Sequence, residues 1–483
     1  MKTIAHPKKF NSFASFLKAF AGSDPSASAL IYEKNGETAS ISRADFAADV
    51  MEKSDELRSF GKTCLGVLCD GSLPCVETIF ASSIAGMQTV LLDENAADTL
   101  LQEQIRQTDI DILWSSDEEL VEELTPFLTS GTDMPRTASG SDEAEGGDIL
   151  FFTSGTTASS KAVVLTDASL MAAAYNGSCK VALSPDDILL CMLPLNHVFG
   201  FVCGLLWGME CGAPVALGRG ARYYTEDFSF YKPTVLSAVP LLLSFLVQHK
   251  LMNSELRLIL VGAGDCSMQL FNAALQQGVQ ISFGYGLTET SSGVAISVPG
   301  SPSFDPFALE ICPENNVSLA PDGEILISTR SCMMKGYYKH PEATAAVLKN
   351  GVLYTGDLGR WDDNGRLHVI GRKKEILVLQ DGTKIFLPEY EARIAAVLPG
   401  RDFTVLERDG KPVLLLFDKE AADWPDVMMV AARTMVQGEL RGVMAGLPRG
   451  QQLSDILFTG KPLPRTATGK VKRWELLRQT TVS

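Results

Sequence analysis

The sequence predicts an α/β protein in two parts. A large N-terminal unit carries doubly wound, mostly parallel sheets, and a small α+β unit follows it. Three observations predict this. Short apolar runs at 64–68, 89–92, 110–114, 188–192 and 256–261 alternate with stretches of helical periodicity, the pattern of strands joined by crossover helices. At 483 residues the chain exceeds what one hydrophobic core supports. Past residue 371 the elements become shorter and more charged, so domains are expected over 1–371 and 372–483.

The elements follow in order. Residues 41–60 repeat apolar side chains at helical spacing, with Ser42 the better N-cap and Ser40 the alternative. Residues 64–68 read as a strand, 76–86 as a helix closed by Gly86, 89–92 as a strand, 100–108 as a helix and 110–114 as a strand. A Ser-, Gly- and acid-rich stretch at 130–147 is a solvated linker. It delivers the chain to an apolar run at 149–152, a hydroxyl-rich turn, and a second β-branched run from Ala162. The strand–helix pattern resumes over 188–192, 198–209, 214–217, 234–250 and 256–261. Gly262-Ala263-Gly264 then forms a loop at a strand's carboxyl end, where ligands sit on such sheets. Segments 323–329 and 367–370 alternate as strands. In the last part, 413–417 reads as a strand, 424–447 as a helix and 472–477 as the final element.

Composition excludes some functions. A formal charge of −16 (42 basic against 58 acidic residues) argues against a general nucleic-acid binder. The ten cysteines form no Cys-x-x-Cys pair and no zinc spacing with histidine, so they read as buried hydrophobes in a reducing compartment. The first residues carry charge without an apolar core, and the long apolar stretches are broken by Glu210, glycines or Pro240. Neither a signal peptide nor a membrane span is expected. The expected location is cytoplasmic.

Five stretches carry chemistry. Thr153-Ser154-Gly155-Thr156-Thr157-Ala158-Ser159-Ser160-Lys161 offers hydroxyls, backbone N–H groups and one ammonium, the donors that a polyphosphate needs. Alone it is equally a polar hairpin. Phe283-Gly284-Tyr285-Gly286-Leu287-Thr288-Glu289-Thr290 follows a short strand at 280–282. Its tyrosine between glycines can lie flat on a planar base, and Glu289 offers a hard oxygen for Mg²⁺. Tyr354-Thr355-Gly356-Asp357-Leu358-Gly359 reads as a turn whose aspartate can accept bonds from a ribose diol. Gly371-Arg372-Lys373-Lys374-Glu375-Ile376 stands at the expected domain junction. Pro462-Leu463-Pro464-Arg465-Thr466-Ala467-Thr468-Gly469-Lys470 presents a lysine on a loop. Taken singly, each is as readily an ordinary turn, cap or charge run.

Together, in this order and at these separations, the five stretches resemble the adenylate-forming superfamily of acyl-CoA synthetases, amino-acid-adenylating domains and luciferase. The resemblance runs from about Ser40 to Arg473. It implies a distorted β-barrel subdomain within the large unit and a mobile small one. It also implies that Thr153, Ser154, Gly155, Thr156, Thr157 and Lys161 hold the ATP phosphates. Tyr285 and Gly286 would lie at adenine beside Gly262, Ala263 and Gly264. Thr288 would meet the α-phosphate, Glu289 would bind Mg²⁺, and Asp357 and Arg372 would bind the ribose. Lys374 matches the hinge and Lys470 the catalytic lysine. Asn196-His197-Val198-Phe199-Gly200 resembles the motif beside the acyl pocket, which His197 would line. No aspartate stands near that motif in the sequence to pair a substrate ammonium, which favours a plain acid over an amino acid.

The implied activity is activation of a fatty or aryl carboxylic acid to acyl-AMP with ATP and Mg²⁺, then transfer to coenzyme A. Loading of an acyl carrier protein in trans is the alternative, and a non-catalytic nucleotide-binding relative is the other. The phosphate loop departs from the family's pattern: Ala158, Ser160 and Ala162 stand where Gly, Pro and Gly are usual. A looser loop is the expectation.

Overall fold

The computed structural model describes residues 7–129, 146–153, 160–252, 254–264, 266–300, 304–379, 384–465, 471, 473 and 476. The chain divides into two compact units. One runs through Val369, apart from short segments. The other holds the chain from Ile370 onward together with Gly356–Gly359.

The first unit contains two large sheets. The nine-stranded sheet has the order Glu310–Ile311, Ser292–Ile296, Gln280–Leu287, Leu258–Val261, Val235–Ala238, Leu189–Cys191, Val215–Leu217, Ser28–Lys34, Glu37–Ser42. From Gln280–Leu287 to Ser28–Lys34 neighbouring strands are parallel, and both outer ends are antiparallel. Leu189–Cys191 is followed in sequence by its neighbour on one side and then by its neighbour on the other. The winding reverses there, and the crevice at the carboxyl ends of such strands is a ligand position. His197 lies just beyond that end.

The six-stranded sheet has the order Gly336–Tyr337, Ala162–Leu165, Ile149–Phe152, Gln88–Asp93, Cys64–Cys69, Ile112–Trp114. Its last four strands are parallel, and Ala162–Leu165 turns back antiparallel on Ile149–Phe152. A five-stranded sheet follows in the order Asn315–Leu319, Glu324–Thr329, Val352–Trp361, Leu348–Lys349, with Leu367–Arg372 beside Val352–Trp361. The pairings within it are antiparallel at Asn315–Leu319 and at Leu348–Lys349.

Aromatic rings lock the main core. Phe13 stacks on Phe80 at 4.3 Å, Phe46 meets Phe80 edge-on at 5.7 Å, and Phe151 meets Phe201 at 5.8 Å. Edge-on and offset pairs add to area burial. The Phe151–Phe201 contact fixes the strand before the hydroxyl-rich turn to the helix that follows His197. The helix carrying Phe13, Phe13–Ser23, is capped by Ser12, and buried Asp167 accepts the Phe13 N–H at 2.9 Å.

Local signals explain most boundaries. The first expected helix is Arg43–Ser59, with Ser42 accepting the Asp45 N–H as its cap. The 76–86 helix begins earlier, at Leu73, because Ser72 caps it and Pro74 occupies the first turn. Segment 234–250 is a strand, Val235–Ala238, and then a helix, Pro240–His249, started by its proline. Two corrections concern the site. Gln280–Leu287 is one strand that runs through the Tyr285 motif instead of stopping at Ser282. Asp357 lies inside the strand Val352–Trp361, not in a turn, although Gly356 takes φ +71° there.

The second unit has its own core around Tyr390, Ile394, Val405, Leu414, Leu440 and Ile456. Its three-stranded sheet orders Phe403–Arg408, Lys411–Phe417 and Asp455–Thr459. Helices Leu387–Ala395 and Asp426–Ala445 accompany it. The hairpin Ile376–Val378 with Lys384–Phe386 precedes them. Segment 472–477 lies mostly outside the described residues. Among the described residues no helix is long and apolar enough to cross a membrane.

Candidate active site

The phosphate-type turn springs from a buried hairpin. Ile149–Phe152 and Ala162–Leu165 pair antiparallel, every residue of both strands buried. The pairing continues to the mouth of the turn. Thr153 donates its N–H to Lys161 O at 2.9 Å, and the Ser160 hydroxyl donates to Thr153 O at 2.6 Å. Ser154, Gly155, Thr156, Thr157 and Ala158 lie outside the described residues. Ser160 thus supplies a hydrogen bond where the family's pattern has a proline. Ala162 sits in regular antiparallel register opposite Phe152, and alanine meets no φ penalty there.

The strand Gly336–Tyr337 adds to the free side of this hairpin, Tyr337 opposite Val163. That register sets the Lys161 ammonium over the Tyr337 ring, 4.9 Å from its centroid. The Tyr337 hydroxyl donates to Glu289 Oε1 at 2.6 Å, and the Met334 N–H donates to Glu289 O at 2.9 Å. Lys161 and Glu289, 128 positions apart in the sequence, are therefore joined through one aromatic ring. Tyr337 was not among the residues singled out in the sequence. Its only signal was a glycine before two tyrosines in an otherwise ordinary stretch.

The Tyr285 strand is shaped by its glycine. The strand pairs with Leu258–Val261 through Phe283 and with Ser292–Ile296 from Gly284, and within that second pairing the register slips between Tyr285 and Gly286. A Cβ at Gly286 would lie 1.7 Å from Ser292 O, so only glycine fits. Ser291 and Ser292 hold positive φ of 53° and 100° at the same place, a concentration of strained backbone typical of sites. Thr288 and Glu289 follow on a single 3₁₀ turn, both half-buried.

The loop Gly262, Ala263 and Gly264 leaves Leu258–Val261 at its carboxyl end, with Ala263 at φ 60°. A Cβ on Gly262 would come within 3.0 Å of the Phe199 ring, so the loop and the His197 motif are in contact. His197 closes a turn on Pro194 (N–H to O, 3.2 Å). A Cβ at Gly200 would lie 2.2 Å from Pro194 O, which explains the glycine. His197 is solvent-accessible, yet the protein around it desolvates the imidazole and lowers its pKa below 6.5, with Asp93 opposing. Asp93 thus stands within electrostatic reach of a motif that has no acid near it in sequence. Beyond Phe201 the helix widens into a π turn, Val202–Leu206, a feature frequent at functional sites. There Cys203 O accepts the Ser237 hydroxyl at 2.8 Å, and Cys203 Sγ lies 3.5 Å from Ser292 Oγ.

In the second unit Arg372 Nε lies 2.7 Å from Asp357 Oδ1. Asp357 is buried and Arg372 exposed. Lys374 is exposed on the 3₁₀ turn Lys373–Glu375. Lys470 lies outside the described residues.

Residues 17–338 match the family described as AMP-binding enzyme. A 2-succinylbenzoate–CoA ligase of Bacillus cytotoxicus is 28% identical over 436 residues, covering 85% of this chain and 87% of that protein. Its counterpart in Bacillus subtilis is 25% identical, covering 90% and 88%. Among solved structures, O-succinylbenzoate coenzyme A synthetase from Bacillus subtilis, in complex with ATP and magnesium ion, superposes with TM-score 0.75 at 22% identity, covering 96% and 99%. An anthranilate CoA ligase in complex with anthranoyl-AMP superposes with TM-score 0.76 at 19% identity, covering 99% of both chains. The chain belongs to the AMP-binding enzyme family, as an AMP-forming acid–thiol ligase of the acyl-CoA synthetase type within the adenylate-forming superfamily.

Proposed function

We propose that this ligase activates an aryl carboxylic acid as its acyl-adenylate and passes the acyl group to coenzyme A. The observation that carries the proposal is the Lys161–Tyr337–Glu289 series, which sets one phosphate-binding cation and one hard carboxylate at a hydroxyl-rich turn. In the first step the substrate carboxylate oxygen attacks the α-phosphorus of ATP, and the bond to pyrophosphate breaks. The carboxylate is already ionised at neutral pH, so no general base is required. The demand is to hold two anions in line and neutralise them.

Thr153, Ser154, Gly155, Thr156, Thr157 and Lys161 hold the β- and γ-phosphates. Tyr285 packs on adenine beside Gly262–Gly264, with Gly286 admitting the backbone, and Thr288 meets the α-phosphate. Asp357 and Arg372 bind the ribose hydroxyls. Lys470 bridges the carboxylate and the α-phosphate. His197 lines the acyl pocket, and Lys374 is the hinge. Glu289 fits a magnesium ion delivered with ATP. Among the described residues no three metal-ligating side chains gather, which suits an ion that takes most of its ligands from phosphate and water. Bound there, magnesium supplies charge neutralisation at the phosphates. In the second step the thiol sulfur of coenzyme A attacks the acyl carbon, the thiol proton departs, and AMP leaves.

An aryl acid is preferred to a fatty one because the relatives are named for 2-succinylbenzoate and anthranilate. The Phe199 ring beside Gly262 offers a flat apolar wall for such a group. The cytoplasm, where ATP is plentiful and thiols stay reduced, suits the ten unpaired cysteines. A carboxylate panel with ATP, Mg²⁺ and either coenzyme A or a holo-carrier protein tests the proposal. Acid-dependent pyrophosphate release and aryl-CoA formation are expected. Faster turnover of long-chain fatty acids, or acyl transfer to the carrier alone, would overturn it.

A further inference from the structure

We propose that Tyr337 is a positioning residue that couples the phosphate-binding cation to the metal-binding carboxylate. The inference rests on the assignment of Lys161 and Glu289 above. Three observations carry it. The Tyr337 hydroxyl donates to Glu289 Oε1 at 2.6 Å. A hydrogen bond to a carboxylate oxygen fixes the rotamer of the group and directs its second oxygen. The face of the same ring carries the Lys161 ammonium at 4.9 Å, within the range of a cation–π contact. The backbone enforces both. Tyr337 is paired opposite Val163, its N–H donates to Thr344 Oγ1 at 2.9 Å, and Tyr338 N–H donates to Ala162 O at 2.8 Å. The Met334 N–H holds the Glu289 carbonyl three residues earlier on the same segment.

A lysine at the mouth of one turn and a carboxylate on a separate 3₁₀ turn have no reason to keep a common geometry. A shared ring gives them one. The hydroxyl and the ring face act on different groups, so two substitutions separate them. Tyr337→Phe keeps the ring and its place over Lys161 but loses the bond to Glu289. Tyr337→Leu loses both.

Calorimetric titration of ATP into the full-length protein, once with Mg²⁺ and once with EDTA, reads the two effects without turnover. In Tyr337→Phe the Mg²⁺-dependent gain in ATP affinity falls about tenfold, the scale for losing a partner that orients a metal ligand, while affinity in EDTA is unchanged. In Tyr337→Leu the affinity in EDTA also falls about threefold, as Lys161 loses its ring. Circular dichroism and the thermal midpoint confirm that both variants are folded. A folded Tyr337→Phe with the wild-type Mg²⁺ gain overturns the proposal. Glu289→Gln tests the metal site directly: if it too keeps the full Mg²⁺ gain, the metal assignment itself is wrong. If it abolishes the gain and Tyr337→Phe does not, only the role of Tyr337 fails.

Discussion

Arg372 and Asp357 hold each other, Nε to Oδ1 at 2.7 Å, with Asp357 only 4% exposed. The pair is thus already oriented at the place proposed for the ribose diol. Asp357→Asn keeps the size and removes the charge that fixes the guanidinium. A hydrogen bond to a charged group contributes about 1.5–3 kcal/mol. The KM for ATP is therefore expected to rise roughly 10–100-fold, with a smaller change in kcat. Steady-state kinetics at saturating acid check this, and an unchanged KM would remove Asp357 from the ribose site.

Lys470→Ala separates the half-reactions. Adenylation, followed by pyrophosphate release, is expected to fall about 10²–10³-fold, the usual loss for one transition-state electrostatic contact. Conversion of a supplied acyl-adenylate to the thioester is expected to persist. Equal losses in both steps would show that the lysine does not belong to the first step alone.

His197 sets an acid limb. Its imidazole is desolvated and its pKa lies below 6.5, partly restored by Asp93. The ring is neutral at pH 7 and above. Affinity for an apolar aryl acid is then flat above pH 6.5 and changes only as the pH falls through the folded-state pKa. The linked stability has the same sign: it is present above the unfolded value and lost towards acid. His197→Phe is expected to abolish the limb in the KM of the acid. A limb that survives in the variant belongs to another group.

Glu210 makes the opposite prediction. Its carboxyl is raised above 4.5, first by burial, with bonds from Ser178 and Cys211 opposing, and its Oε1 is buried with no hydrogen-bond partner. Ionising it costs stability, a cost absent below the unfolded value and growing as the pH rises through the folded one. Glu210→Gln is expected to raise the thermal midpoint at pH 7.5 by about 1–2 °C and to leave it nearly unchanged at pH 4.5. Differential scanning fluorimetry at both values decides.

Much of the frame could be read in the residues. Apolar runs at 64–68, 89–92 and 256–261 located the strands Cys64–Cys69, Gln88–Asp93 and Leu258–Val261 because buried parallel strands have no polar face. Ser42 named its helix because a cap is a local signal. The N-terminal helix Phe13–Ser23 and the hairpin from Ser28 to Ser42 were not read, since their apolar faces are short and their partners distant. The site was legible only in pieces. Glu289 and Lys161 each stood in a recognisable stretch, but the ring that joins them depends on the pairing of Gly336–Tyr337 with Ala162–Leu165. No local pattern encodes a pairing across that distance. Likewise Asp93 reaches His197 from the other sheet.

The hydroxyl of Ser160 closing on Thr153 O has a thermodynamic signature. Where the family's pattern has a proline, restraint comes from lost freedom of the open chain and is entropic. Here it comes from a bond that forms with heat release and loosens on warming. The two devices are of similar size near room temperature, about 1 kcal/mol each, and they diverge away from it. The mouth of the turn in this ligase is therefore expected to loosen on warming, and its ATP affinity to fall more steeply between cool and warm conditions, than in relatives that carry the proline.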